Sequence, residues 1–332
     1  MIFGLNTKTL NCNQHVYRKV NTVIYLPLFI IHSFKKVLFM AKLTPNIPSK
    51  TRFNLDVYAL TWRLPVIIWQ LVFFIAPLLF MIAMSFFLVK NYRMVEAFEF
   101  VNWAKMFSKG YFWNSYGLSI GLALMATFCA TVIAFPAAYA LAYKVSETTR
   151  RWAIFFLIIP FFTSYLVRTF SWYVLLAESG IVNELLSYIG LGPFTMLNTT
   201  FGTLVGYLTL TLPLVIILQT LSMANIDKNL IEAAHNLGAN TARTIIEVII
   251  PAAKVGLIVG ALFCFILSFG DFVSPYYLGG SKPPTLSILI IDTTKSGQQW
   301  PRAAVIAVTM MVTLMVVAFT AIKLAYGKKV KS

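Results

Sequence analysis

The stretch Glu232-Ala233-Ala234-His235-Asn236-Leu237-Gly238-Ala239, continuing through polar and then apolar residues to Pro251, is a short water-compatible island. On either side lies an apolar run, Phe201–Met223 before it and Ala252–Phe272 after it, and each is long enough to cross a bilayer. The island is therefore a loop between two membrane crossings, which places the chain among polytopic membrane proteins.

Four more runs reach the length of about 20 residues that a helix needs to cross a hydrocarbon core about 30 Å thick. They are Pro65–Val89, Gly117–Tyr143, Trp152–Leu176 and Ala303–Leu324. Pro77, Pro136, Pro160 and Pro213 fall inside runs, but membrane helices accommodate proline kinks where neighbouring groups satisfy the freed backbone. The expected fold is all-α, with six transmembrane helices. Composition agrees: of 332 residues, 59% are hydrophobic and 11% charged, and the mean hydropathy is +0.78. Too few charges are present to cover a water-soluble surface.

The net charge of +16 would suggest nucleic acid in a soluble chain. Here most Lys and Arg stand outside the apolar runs, where they set orientation. Nine precede the first run, Lys144, Arg150 and Arg151 follow the second, and Lys323 at the end of the sixth is joined by Lys328, Lys329 and Lys331 after it. Residues 177–200 have none, only Glu178 and Glu184. The positive-inside rule predicts both termini and the 224–251 island on the cytoplasmic side of an inner membrane, and Lys90, Arg93, Lys105 and Lys109 weaken the contrast without reversing it. The expected organisation is a basic segment 1–63, a six-helix domain 64–325 containing the island, and a basic tail 326–332. Val20–Ile31 is too short to span, and reads as an interfacial helix or as part of an extension upstream of a start at Met40.

Cys12, Cys129 and Cys264 have no paired spacing, so neither a disulfide framework nor a zinc site is expected. His15, His32 and His235 are scattered, with no H-E-x-x-H and no G-x-S-x-G, and a membrane enzyme finds no support.

Within the island, Asp227 can cap a helix whose apolar positions Leu230, Ala233, Ala234 and Leu237 recur at i, i+3, i+4 and i+7. Gly238 supplies a left-handed stop, and a second turn begins near Asn240-Thr241. Small residues at 233 and 234 let another protein approach the backbone, with the charge of Glu232 beside them. An interfacial loop packed on its own bundle is the competing reading.

The run Glu232-Ala233-Ala234, with Gly238 after it and then Ile249-Ile250-Pro251, resembles the EAA loop of ABC importer permeases. Pro160–Trp172, Gly180–Asn183 and Gly270–Gly280 resemble permeases of spermidine/putrescine importers. The resemblance covers roughly Pro65 to Leu324 and departs mildly at the polar turn Asn240–Arg243. It implies a type I importer fold and a permease that catalyses no covalent change. In such an importer Glu232, Ala233, Ala234, Leu237 and Gly238 couple to the ATPase. The partners it implies are two copies of an ATP-binding cassette subunit, a second permease and a periplasmic solute-binding protein. ATP and Mg belong to the ATPase, since no G-x-x-x-x-G-K-[ST] loop occurs here and no cofactor is expected on this chain.

Arg168 lies 16 residues after Trp152, about 24 Å along a straight helix, and Asp271 lies 17 after Lys254, about 25 Å. Both are expected near the outer edge of the core. Arg168 can snorkel, pair with Asp271 as an outer gate, or touch substrate. Asp271, between Gly270 and Ser274-Pro275, sits where a helix breaks and frees carbonyls to line a path. For the polycation that the resemblance implies, spaced carboxylates and aromatic faces are needed, and Asp271, Glu178 and Glu184 with Trp172 and Tyr276 offer such a set. An aromatic belt is the other reading of Trp172 and Tyr276. Related permeases for ferric iron, an amino-phosphonate or thiamine share this architecture; a secondary carrier would need an inverted repeat with paired broken spans, which is not evident.

Overall fold

The computed structural model describes residues 57–90 and 93–327. The expectations for Val20–Ile31, Met40 and the tail beyond 327 lie outside the described residues. The chain divides into two units, 1–69 and 70–332. The described part of the first is helical and holds the start of α1, Val57–Gln70.

The second unit continues through a π-helical turn, Leu71–Ile75, into α2, Ala76–Met84. Pro77 opens α2; a proline lacks the N–H and crowds the carbonyl four residues back, and the wider π turn before it accommodates both defects. The first crossing, Arg63–Met84, stops short of the expected Val89. Leu88–Lys90 is instead strand β1, paired antiparallel with β2, Arg93–Val95. Asn102, from the short helix α3, Val101–Phe107, donates to the carbonyls of Phe87 at 2.6 Å and Ser85 at 3.3 Å, tying the start of the hairpin to α3.

The chain continues with α4, Gly110–Tyr143; α5, Glu147–Ile158, capped by Ser146; α6, Tyr165–Leu176; α7, Ile181–Tyr188; and α8, Thr200–Ala224, capped by Thr199. The island comes next as α9, Lys228–Asn236, and α10, Thr241–Thr244. A second π turn, Ile245–Ile249, precedes Pro251 and leads into α11, Ile250–Gly270. The last described helices are α12, Val273–Tyr277, α13, Leu286–Gly297, and α14, Trp300–Tyr326.

Among the described residues five helices are long and apolar enough to cross a membrane. Counted as one span, the pair Glu147–Phe162 and Tyr165–Tyr188, bent by 92°, makes a sixth. This corrects the expected straight span Trp152–Leu176. Pro160 converts Ile159–Phe162 to a 3-10 turn, and Thr163 adopts an extended conformation with ψ 144°, so the α-helical ladder cannot continue. The fifth crossing also differs: it runs unbroken from Thr241 to Gly270, so the second turn of the island and the span are one helical rod.

Helices α4, α8 and α11 pack against one another, and α14 packs on α11 and α13. Apolar side chains gain little from leaving lipid for protein, so close backbone approach and van der Waals contact hold such a bundle. In α4 the buried face is Ala123, Ala126, Ala130, Ala134, Ala138 and Ala142, spaced by three or four residues so that one stripe of methyl groups meets the neighbours. Val215, Ile216 and Cys264 fill the middle of that seam, and Met223, Ile249 and Ala253 fill its end near the island.

Candidate functional site

The island is capped at each turn by its own side chains. Asp227 accepts from the Asn229 N–H at 3.0 Å, Gly238 closes α9 at φ 82°, and Asn240 accepts from the Arg243 N–H at 2.8 Å. Ile231 packs inward against the cluster of Ala138, Met223 and Ile249, which fixes the roll of α9. Leu230, Ala233 and Leu237 are then presented outward, with Leu237 89% exposed and Leu230 53%.

Glu232 does not lie in the Leu230–Ala233–Leu237 stripe. It turns to the other side of α9, with Lys228 and His235, onto a cavity of about 260 Å³ closed by Tyr139, Tyr143 and Lys144 at the end of α4. In the polar turn, Arg243 Nε donates to both carboxylate oxygens of Glu247, one turn further on, at 3.0 Å, an exposed i,i+4 pair between α10 and the π turn.

At the end of α11 away from the island, Asp271 is 8% exposed and its carboxylate is committed. Oδ1 accepts from the Val273 N–H at 2.8 Å, and Oδ2 accepts from the Ser274 N–H at 3.2 Å and from the Tyr165 hydroxyl at 2.5 Å. Tyr165 has one proton, and giving it to Asp271 leaves the Ser274 hydroxyl to donate to the tyrosine oxygen, also at 2.5 Å. Asp271 thus caps α12 and fastens the break to the first turn of α6. Ser274 in turn lies against Gly206 of α8, where a Cβ would come within 2.3 Å of its hydroxyl. Phe170, Tyr277 and Tyr276 make an aromatic row on the same junction, with centroids 4.8 and 4.9 Å apart, and Tyr276 is 47% exposed.

Arg168 is not paired with Asp271. The Asp271 oxygens are bonded to Tyr165, Val273 and Ser274. The guanidinium instead reaches Thr209, nine residues or about 14 Å from the start of the 25-residue α8 and fifteen or about 22 Å from its end. The 92° bend invalidates the straight-helix distance from Trp152 that sets Arg168 beside Asp271 at the outer edge. With Trp172 it lines a cleft of about 450 Å³ walled by Pro160, Leu208, Leu212 and Pro213. Glu178 and Glu184 are exposed, and no hydrogen bond or ion pair joins them to Asp271.

Residues 130–332 match the family described as the binding-protein-dependent transport system inner membrane component. The chain belongs to this family. It is 30% identical over 217 residues to the spermidine/putrescine transport system permease protein PotB of Escherichia coli K12, covering 64% of this chain and 78% of that one. Haemophilus influenzae PotB is 30% identical over 209 residues, 62% of this chain and 71% of the relative. Among solved structures, a bacterial ABC transporter involved in the import of the acidic polysaccharide alginate superposes with a TM-score of 0.64, covering 82% of this chain and 96% of that chain at 18% identity. The chain is accordingly a multi-pass inner-membrane permease subunit of an ABC importer, a transport component and not an enzyme.

For a permease of this family the sequence found the loop and its caps but missed Tyr165 and Ser274 as partners of Asp271. The backbone contact of Ser274 was legible, since an aspartate just before a helix can accept from the N–H groups of its first turn. Tyr165 was not, since 106 residues separate it from Asp271.

Proposed function

We propose that this permease forms one half of a polyamine import path. It would be driven by a pair of ATPase copies, one of which docks on the outward face of α9, supplied by a periplasmic binding protein, and paired with a second permease. ATP and Mg are held by the ATPase. Both termini and the 224–251 loop lie in the cytoplasm. The exposed Leu230–Ala233–Leu237 stripe is the observation that carries the coupling role: it is apolar, held rigidly by Ile231, and unoccupied by any other part of the described chain. The PotB relatives support spermidine or putrescine as solute. An alginate transporter structure in complex with a pentasaccharide-bound periplasmic protein supports delivery by a binding protein.

Closure of the ATPase pair would move α9, and the continuous Thr241–Gly270 rod would carry that motion to the break at Asp271. Substrate would pass along the face where Trp172 and Tyr276 are accessible. Asp271 contributes by holding the break in shape, since its oxygens are already occupied by Tyr165, Val273 and Ser274.

The test is solute-stimulated ATPase activity of the whole complex in liposomes with its binding protein, comparing spermidine and putrescine with unrelated solutes. Stimulation by a polyamine that Leu237→Glu removes, while the permease stays in the membrane at its usual level, supports both solute and docking face. Stimulation by an unrelated solute alone overturns the polyamine assignment. Full stimulation in Leu237→Glu overturns the docking face.

A further inference from the structure

The cavity of about 260 Å³ between α9 and the end of α4 is lined by charges of both signs. Lys228, Glu232 and His235 stand at i, i+4 and i+7 on α9, so one face of that helix supplies all three. Tyr139, Tyr143 and Lys144 form the wall at α4, and Thr241, Thr244 and Ile249 come from the chain leading into α11.

Several polar groups of the lining are already bonded. The Tyr143 hydroxyl donates to the Met223 carbonyl at 2.9 Å, and the Thr244 hydroxyl donates to the Asn240 carbonyl at 3.0 Å. His235 Nδ1 lies 3.1 Å from the Ala239 carbonyl, which can only accept. That nitrogen therefore carries the proton, and Nε2 of the neutral ring is an acceptor. The charged groups are not committed in this way. Lys228 and Glu232 have the spacing of a helical ion pair, yet among the described residues neither of them, nor Lys144, has an ion pair or a side-chain hydrogen bond.

Two ammonium groups and one carboxylate around a single cavity select against a simple ion. A lone cation meets Lys144 and Lys228, and a lone anion meets Glu232. A group that carries both a phosphate and an ammonium matches every charge. Its phosphate oxygens accept from the two lysines, with the Tyr139 hydroxyl beside them, and its ammonium donates to Glu232 and to His235 Nε2. The volume is roughly nine times the share of one water in the liquid, which suits so short a group.

We propose that this cavity binds a phosphoethanolamine group, as the headgroup of an ethanolamine phospholipid or as the free compound. The bound group would brace α9 against α4 from behind. The proposal shares one premise with the reading above, that the ATPase takes the outward face of α9, and it does not depend on which solute is carried.

The experiment uses the complex of this chain with its ATPase and second permease, carrying the wild-type chain, Lys144→Gln, Lys228→Gln or Lys228→Arg. In detergent, the melting temperature is followed against free phosphoethanolamine, inorganic phosphate and ethanolamine. In vesicles with binding protein and solute, ATPase activity is compared between phosphatidylglycerol alone and phosphatidylglycerol mixed with phosphatidylethanolamine. Phosphoethanolamine is expected to raise the melting temperature where phosphate and ethanolamine do not. Each Gln variant should need about tenfold more of it, for one lost charge-assisted hydrogen bond, and Lys228→Arg should stay near wild type. A response to the free compound assigns a soluble ligand; a gain in activity confined to phosphatidylethanolamine vesicles, and missing from the Gln variants, assigns the lipid. Equal responses to phosphate and phosphoethanolamine overturn the proposal, as do responses unchanged in both Gln variants or no response in either setting. Loss of the ATPase subunit from the purified Gln variants would give the cavity to the ATPase and also overturn it. Failure of Leu237→Glu to uncouple removes the outward docking face and leaves the ligand response standing.

Discussion

Tyr165 and Asp271 are 106 residues apart in sequence and joined by a 2.5 Å hydrogen bond from the phenol to the carboxylate. One belongs to the crossing that bends by 92°, the other to the point where α11 gives way to α12. The two irregular places in the bundle are therefore one structural unit, and disturbing either end should disturb the other.

Tyr165→Phe and Asp271→Asn should each lower the melting temperature of the purified complex, by the equivalent of about 1.5–3 kcal/mol for a hydrogen bond to a charged group. The double variant should lose little more than the worse single one, because both remove the same bond. Additive losses would show that the two side chains act separately. Binding of solute to the isolated binding protein provides the control.

Gly206→Val should prevent stable insertion, since the new side chain would meet Ser274 at 2.3 Å. Gly206→Ala combined with Ser274→Gly should restore a folded permease, measured as the monodisperse fraction in detergent. Failure of that rescue would mean that another contact of Gly206 is the limiting one.

Along α4 the requirement is smallness. Ala134→Leu places a branched side chain where the residue is fully buried against Val215 and Cys264, and overpacking of this kind costs about 1–3 kcal/mol. Leu124→Ala, on the exposed side of the same helix, should change the melting temperature little.

Gly238 ends α9 at φ 82° with open space around it, so the cost of a side chain there is conformational and not steric. Gly238→Asn should be tolerated better than Gly238→Val, because asparagine enters the left-handed region far more readily than a β-branched residue. Solute-stimulated ATPase activity should follow that order, and equal activity in both would show that the turn does not matter for coupling.

The parts of the fold that depend on local pattern were legible in the sequence. Apolar length marked the crossings, and Asp227, Gly238 and Asn240 marked the turns of the island. What escaped depends on three dimensions or on backbone irregularity. Pro160 marked a disturbance in the third crossing, but a proline in a membrane helix usually gives a kink, and nothing local distinguishes a kink from a 92° turn. With that turn Arg168 reaches the Thr209 carbonyl of α8 and not Asp271. The Leu88–Val89 pair reads as apolar span, and it became a strand because the helix had already ended at Met84. Glu232 shares three consecutive letters with Ala233 and Ala234, yet about 100° per residue carries its side chain to a different face from Ala233.

The rod from Thr241 to Gly270 contains 30 residues, about 45 Å of helix, with its only irregular turn at Ile245–Ile249 beside the island. A pivot so close to one end gives the crossing a mechanical advantage in displacement. A tilt of about 10° at the π turn would sweep the far end, 21 residues on, through about 5 Å. A small push on a nine-residue helix outside the membrane is thereby geared into a shift about the width of a methylene chain at the opposite face.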